Sequence, residues 1–474
     1  MWPRHLLAIL VVVYALIGAS VFLLMPQPYM DEIFHVPQAQ KWCNSDFSWD
    51  PMITTLPGLY LTSLLFLGPG ILSSALLKVL GVDVDVAGAV CPTTLLRLTN
   101  AFFGLLTAWL LWELIPPARR TTSKVFKVLW ILFCPVGFLY YFVYYTDAGA
   151  LFWLLMGHYL LTKNRPFLSA LACAAAVLFR QTSIVWVAYI AADHLLSDLE
   201  SDLPECANLS LQGVFARFAD LLRCAWKIKI YLVKRYWGHV AVGIGFVLFV
   251  FLNGSLVVGD KEHHVAGVSF AQLLYFSLFV CLAFGPLLVP LLIRAWKGFI
   301  RSPRHFVALV VCIHLCLTFG SVIHPYMLAD NRHLSFALWK NVIRPVSTMH
   351  LPPKITWIDY VVGYLRDRRG LRIFATYTLV SVPVTLAAMA DIPLFHGILY
   401  IIALTLNLVP SSLFEPRYFL TPLTFLMLNY LQSTKKAPPA TRYPIVQRLA
   451  TVSSIAISLG TVALFLKHPL HLLW

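Results

Sequence analysis

The chain has 474 residues, 59% of them hydrophobic and only 12% charged, with a mean hydropathy of +0.77. A soluble protein carries roughly twice that charged fraction, and no soluble core could hide so much apolar surface, so soluble-enzyme, disordered and small secreted-scaffold classes are excluded. The net charge of +15 would point to nucleic acid in a soluble protein; here it reads as the positive-inside bias of cytosolic loops, and no nucleic-acid partner is expected.

A membrane-crossing helix needs about 20 apolar residues. Apolar runs between charge clusters fall at 6–25, 97–115, 125–145, 148–162, 166–179, 183–195, 237–257, 270–293, 305–323, 372–389, 393–409, 418–431 and 449–466. They predict an all-α polytopic membrane protein with about 12–14 transmembrane helices, one multi-span membrane domain over 1–474. The first run ends at Pro26-Gln27-Pro28, which lacks a small-residue cleavage pattern, and reads as an uncleaved span. The stretch 57–79 is apolar but interrupted by Pro57, Pro69 and several glycines, and reads as an interfacial or re-entrant piece. No fixed-period repeat is visible, which speaks against a solenoid.

Orientation follows from the basic residues. With the N-terminus in the cytosol, Lys124, Lys127, Lys163, Arg165, Arg223, Lys227, Arg294, Lys297, Arg301, Lys435 and Arg448 share the cytosolic side. The long connections are then 26–96 and 324–371, both luminal, and 193–236, cytosolic. Arg366, Arg368, Arg369 and Arg372 vote the other way. An extra span at 347–365 would bring them to the cytosol, so the topology of 334–392 stays open. Cys43 and Cys91 share the first luminal segment, where they either pair or remain free thiols.

That segment is acidic, with Asp31, Glu32, Asp46, Asp50, Asp83 and Asp85 against Lys41 and Lys78. Asp31 and Glu32 are helix neighbours pointing about 100° apart, so they cannot both address one hydroxyl. Asp31, His35 and Gln38 fall at i, i+4 and i+7, a polar stripe on one helix face. One reading is a general base with positioning groups; the other is an acidic helix start complementing the dipole. In Trp49-Asp50-Pro51-Met52-Ile53-Thr54-Thr55 an acid and two hydroxyls lie among aromatics and turn formers, which suits either a sugar site or a loop returning to the bilayer.

Tyr140 to Tyr145 form an aromatic cluster that an interfacial belt explains. Asp147, flanked by apolar helices, is costly there unless paired or functional. The run 166–179 is roughly 21 Å long at ~1.5 Å per residue, shorter than the ~30 Å hydrocarbon core, so Arg180 should end below the luminal surface. Arg180 either snorkels or meets a phosphate in a cavity, where its planar fork donates two charge-assisted hydrogen bonds. Asp330-Asn331-Arg332-His333 and Glu415-Pro416-Arg417-Tyr418 add arginines on the same side. His263 and His264 are adjacent, without the i, i+4 geometry of strong metal sites, and no metal is expected. The sequons at Asn208 and Asn253 read as unused.

The motifs Tyr29-Met30-Asp31-Glu32-Ile33-Phe34-His35, Trp49 to Tyr60, Phe179-Arg180-Gln181-Thr182-Ser183, Leu328 to His333 and Glu415-Pro416-Arg417-Tyr418-Phe419 together resemble one family. These are the endoplasmic-reticulum dolichyl-phosphoglucose-dependent alpha-1,2-glucosyltransferases, which add the terminal glucose to the lipid-linked oligosaccharide. The motifs run in the family's order over about residues 28–420, and as a set are highly specific.

The resemblance implies a GT-C glycosyltransferase fold with luminal loops forming the active site, in a multi-pass protein of the endoplasmic reticulum membrane. It implies an inverting transfer of glucose from dolichyl phosphate glucose to a diglucosylated, dolichyl-diphosphate-linked oligosaccharide acceptor, without cofactor or metal. Asp31 is then the expected base, with Glu32 as alternate. Arg180, Arg332 and Arg417 would bind the donor phosphate, and His35, Gln38, Asp50, Thr54, Thr55, Tyr145, Asp147, Gln181, His333 and Tyr418 the remaining substrate groups. The rival classes are a polytopic transporter or lipid scramblase, for which no paired interrupted helices are visible, and a non-catalytic membrane scaffold. The oligomeric state is left open.

Overall fold

The computed structural model describes residues 4–79, 88, 90–117, 121–201, 211–262, 266–319, 368–411, 413–432 and 444–467. Among them every regular element is a helix. Lipid requires this, because each segment has to satisfy its own backbone N–H and C=O groups. Among the described residues six helices are long and apolar enough to cross a membrane: Arg4–Leu24, Thr93–Leu114, Lys229–Asn253, Ala271–Arg301, Arg372–Met389 and Pro444–Lys467. Shorter apolar helices, Pro166–Phe179 and Leu394–Leu408 among them, stand beside these. The chain is an all-α polytopic membrane protein. Arg332, His333, His263, His264 and the Asn208 sequon lie outside the described residues.

Two expectations are corrected. The stretch 57–79 is one helix, Gly58–Val79, with Pro69 inside it, rather than an interrupted piece. Proline removes one backbone hydrogen bond, and an apolar setting that penalises every further loss carries the helix through it. Conversely, the run 125–145 is not one span. The helix Thr121–Leu132 ends before Pro135, a 3₁₀ turn occupies Phe138–Tyr141, and Val143 to Tyr145 are non-helical. Irregular backbone in a membrane protein persists only where protein covers it. Residues 133–145 are all buried, and the Asn100 amide donates to the Val143 and Tyr145 carbonyls at 2.6 and 2.7 Å.

Polar ties define the two ends of the bundle. At one end Gln272, opening the helix Ala271–Phe284, donates to the Ser411 and Leu413 carbonyls at 3.1 and 3.0 Å. There too the Val258 and Asp260 N–H groups donate to Thr54 and Pro51 at 3.1 and 3.0 Å. At the other end Arg294 pairs with Asp391, Arg235 with Asp198 at 2.9 Å, and His396 with Asp193 at 2.6 Å. The Arg294–Asp391 pair therefore fixes the course of the helix Arg372–Met389. Its start, next to the arginine cluster, lies at the end that holds Gln272 and Thr54. The stretch 347–365, where an extra span is the alternative, lies outside the described residues.

The segment after the first span is anchored by a buried ion pair. Glu32, fully buried, takes the Arg97 guanidinium on both oxygens, at 2.9 Å from Nε and 2.5 Å from Nη2. It also accepts the backbone N–H groups of Tyr29 at 2.9 Å and Tyr144 at 2.6 Å, while Arg97 donates to the carbonyls of Met25 and Gln27. The two helices that meet here are also joined through Cys43 and Cys91, which form a disulfide spanning 48 residues; on chain entropy a loop of that size contributes about 4 kcal/mol.

Removing one member of a buried pair leaves the other uncompensated, at roughly 3–5 kcal/mol. Glu32→Gln should therefore lower the thermal midpoint sharply, and Arg97→Met added to it should recover part of the loss. An unaltered midpoint in Glu32→Gln would show that the pair does not hold this segment.

Candidate active site

Asp31 sits immediately before the helix Glu32–Cys43. Met30 precedes it at φ 52°, a left-handed conformation that costs a side-chain-bearing residue roughly 1–2 kcal/mol. The Glu32 carboxylate holding the Tyr29 N–H, and the Ile33 N–H donating to the Met30 carbonyl at 3.0 Å, pin this turn. The result separates the two acids as the helix geometry demands. Glu32 turns to Arg97, and Asp31 turns to a cavity of about 560 Å³ that Glu32 does not line. Glu32, expected as an alternate base, is instead placed on Arg97 and away from the cavity.

Arg417 meets Asp31 at 2.7 Å through Nη1 and holds Glu415 through Nε. It comes from the 3₁₀ turn Pro416–Phe419, which brings the last motif onto the first. Arg180 comes from the break after the short helix Pro166–Phe179, in extended backbone. That helix end is held by close packing: a Cβ on Gly149 would lie 2.1 Å from the Phe179 ring, and one on Gly58 2.7 Å from the Leu178 backbone. Arg180 pairs with Asp147 at the start of the helix Thr146–Thr162. The Tyr418 ring lies beneath both guanidiniums, 5.2 Å from Arg180 and 5.9 Å from Arg417.

Asp31, His35, Thr54, Thr55, Asp147, Arg180, Gln181, Arg417 and Tyr418 all line this cavity. Besides Glu32, three expected residues do not. Tyr145 is buried behind it, its hydroxyl accepting the Asp31 N–H at 3.1 Å and its ring 5.2 Å from the Arg417 guanidinium. Gln38 is spent on the following loop, donating to the Ser48 carbonyl at 2.7 Å and accepting the Asp50 N–H at 2.9 Å. Asp50 stands in that loop, outside the cavity, and its carboxylate accepts the Met52 N–H at 2.9 Å. Gln181 faces the cavity while its amide donates to the Thr54 carbonyl at 2.8 Å.

Sequence reasoning missed Arg97, Tyr60, Glu415 and Asp260. For Arg97, an arginine near the start of the apolar helix Thr93–Leu114 and after an acidic motif is a usable signal. Tyr60 meets His35 Nδ1 at 2.6 Å. Glu415 is the second carboxylate on Arg417, and Asp260 lines the cavity beside the Pro51 to Thr54 loop. The remaining wall mixes apolar side chains, including Val185, Trp186, Phe246, Leu256 and Leu406, with the polar Thr146, Ser183, Asn407, Ser411 and Thr421.

The electrostatics separate the acids. Burial opposes ionisation of Asp31, but the charge and hydrogen bond of Arg417, with Arg180 behind it, help hold its carboxyl below the usual range. Burial raises the Glu415 carboxyl against the pull of Arg417. Burial also lowers the His35 imidazole to about 4, despite the attraction of Asp31, so His35 is neutral at physiological pH. The site thus offers an ionised carboxylate, a neutral imidazole and two guanidiniums in one partly apolar cavity.

A folded-state pKa below the unfolded value means that folding stability is complete above pH 6.5 and is lost as pH falls from there to about 4. Charging buried His35 should cost roughly 3 kcal/mol over that window. His35→Gln should flatten the fall of the thermal midpoint between pH 6.5 and 4.5. An equally steep fall in the variant would contradict a depressed imidazole.

Comparison with known proteins gives the same direction. A human protein named Dol-P-Glc:Glc(2)Man(9)GlcNAc(2)-PP-Dol alpha-1,2-glucosyltransferase is 32% identical over 427 residues, covering 85% of this chain and 84% of the relative. Arabidopsis thaliana and Yarrowia lipolytica proteins of the same name are 30% and 27% identical, covering 94% and 98% of this chain and 93% and 96% of their own. No solved structure matches the chain. Residues 25–428 match the DIE2/ALG10 family, and the chain belongs to that family.

Proposed function

We propose that this protein moves glucose from dolichyl phosphate glucose to a diglucosylated, dolichyl-diphosphate-linked oligosaccharide in alpha-1,2 linkage, with inversion. The observation that carries the reading is the shared cavity in which Asp31 contacts Arg417 and faces the same space as Arg180. The names of the relatives supply the substrates, and the family match favours a glucosyltransferase over a transporter or scaffold.

The chemistry needs little apparatus. A lipid phosphate is already a competent leaving group, so no general acid is required. The acceptor hydroxyl has to lose a proton as it attacks the anomeric carbon, and the departing phosphate has to be met by positive charge. Asp31 is the base in this reading. Arg180 and Arg417, joined by Arg332 and His333 from the 324–371 segment, steady the phosphate. Each guanidinium has five donors, so its carboxylate contacts leave N–H groups for phosphate oxygens. Protonation of Asp31 by the acceptor would weaken its hold on Arg417 just as negative charge builds on the leaving group. His35, Thr54, Thr55, Asp147, Gln181 and Tyr418 are the sugar- and phosphate-facing groups, and the apolar part of the wall suits the first isoprene units of a lipid carrier.

No metal enters this reading, because two guanidiniums supply the countercharge; transfer should persist in excess chelator. The reading also places the protein in the endoplasmic reticulum membrane with its cavity luminal. Arg294 and Arg235, paired with Asp391 and Asp198, lie at the opposite end, as a cytosolic face requires.

Purified protein incubated with dolichyl phosphate glucose and the diglucosylated acceptor should add one hexose. Asp31→Asn should slow that transfer by about 10²–10⁴-fold with donor binding retained, and Arg180→Ala should weaken donor binding most. No hexose added by the unaltered protein, or near-normal transfer by Asp31→Asn, would overturn the reading.

A further inference from the structure

Between the helix Glu32–Cys43 and the cavity lies a short loop that exposes aromatic surface to an aqueous setting. Asn44, Ser45, Asp46, Phe47 and Ser48 are all exposed, and Phe47 presents 64% of its surface. Its polar neighbours show that the ring is not embedded among lipid-facing apolar side chains. The loop is also built rather than slack. The Asp46 N–H donates to the Lys41 carbonyl at 2.9 Å, and Asp46 in turn accepts the Ser48 N–H at 2.9 Å. Gln38 clasps Ser48 and Asp50 from beneath. The Phe47 ring stands edge-on to Trp42 at 5.5 Å, and Trp42 leads to Trp49 at 6.1 Å and Tyr60 at 5.6 Å. Tyr60 holds His35 of the cavity.

Two features make this ledge continuous with the reaction site. The same strand of chain runs from Asp50 through half-exposed Met52 to Thr54 and Thr55 in the cavity wall. The cavity, at about 560 Å³, is the size of a site for a drug-like molecule. It accommodates a phosphosugar and a reacting terminal sugar; the remaining sugars of a large acceptor have to lie outside it. An exposed ring with acids before and after it along the same loop, Asp46 and Asp50, suits a hexose, whose C–H face packs on the aromatic surface while its hydroxyls donate to the acids.

We propose that Phe47, with Asp46 and Asp50 beside it, forms an outer subsite for a hexose of the acceptor oligosaccharide beyond the reacting sugar. This rests on the transferase reading above and deepens it. Asp50 thereby moves from the reaction centre to acceptor recognition.

The test compares the full lipid-linked acceptor with a short diglucosyl alkyl glycoside that cannot reach the ledge. Phe47→Ala should raise KM for the full acceptor about five- to tenfold, the worth of one aromatic stacking contact, with kcat retained and the KM for the short acceptor unmoved. Phe47→Trp should restore the full-acceptor KM, whereas Phe47→Leu, which keeps apolarity but loses the ring, should behave like Phe47→Ala. Equal effects on both acceptors, no effect on either, or full rescue by leucine (a lipid contact) would each overturn the proposal. A second arm needs no catalysis: equilibrium dialysis of the full-length protein against the lipid-free oligosaccharide. Binding that falls severalfold in Phe47→Ala supports the ledge even if transfer fails and the transferase reading with it. Binding that ignores Phe47 overturns the ledge alone.

Discussion

The architecture of the cavity turns on one guanidinium. Arg417 reaches Asp31 at 2.7 Å and Glu415 from its other edge, so the motif after the first helix and the motif near residue 417 close on a single cation. A buried carboxylate is expensive unless it is paired and hydrogen-bonded, and Arg suits the role because its planar fork can serve two acids in fixed directions. Everything that brings these segments together serves this contact: the Glu32–Arg97 anchor, the Asn100 clasp on the irregular 143–145 backbone, and the stop of a short helix before Arg180.

Charge balance then sets what the cavity can accept. Arg180 and Arg417 are met by Asp147, Asp31 and Glu415, so the cavity holds no surplus of positive charge. Such an arrangement can hold a phosphate only if a carboxylate gives up charge or another cation arrives. The proposed chemistry provides the first of these, since the base becomes neutral as the leaving group becomes anionic. The same coupling explains how Asp31 can be held in a low-pKa state and still be useful. Its proton is gained at the moment when the competing demand on Arg417 rises.

Much of this was legible in the residues, for physical reasons. Composition alone required a helical membrane protein, and the 100° separation of helix neighbours separated Asp31 from Glu32 before any coordinates. The short run before Arg180 pointed to a cation in need of a partner or a cavity, and Arg180 pairs with Asp147 and lines the cavity. What stayed hidden depended on distant pairing. Nothing local to Glu32 names Arg97 as its partner, and nothing local to residues 125–145 reveals that protein cover allows the chain to leave the helix at Pro135. Pro69 misled in the opposite sense, because a helix in lipid tolerates a proline that would end one in water. Asp50 and Gln38 were expected to hold substrate, but their hydrogen-bond partners belong to the loop, not to the cavity.

The central claim is that Asp31 and Arg417 act as one unit in glucosyl transfer, and a double-mutant cycle measures it most directly. Single-turnover rates would be compared for Asp31→Asn, Arg417→Lys and the double variant, with donor saturating and folded protein quantified in each. The account predicts strong non-additivity, the double variant being little slower than the worse single one, because either change alone disables the shared step. Rate losses that multiply independently would contradict it.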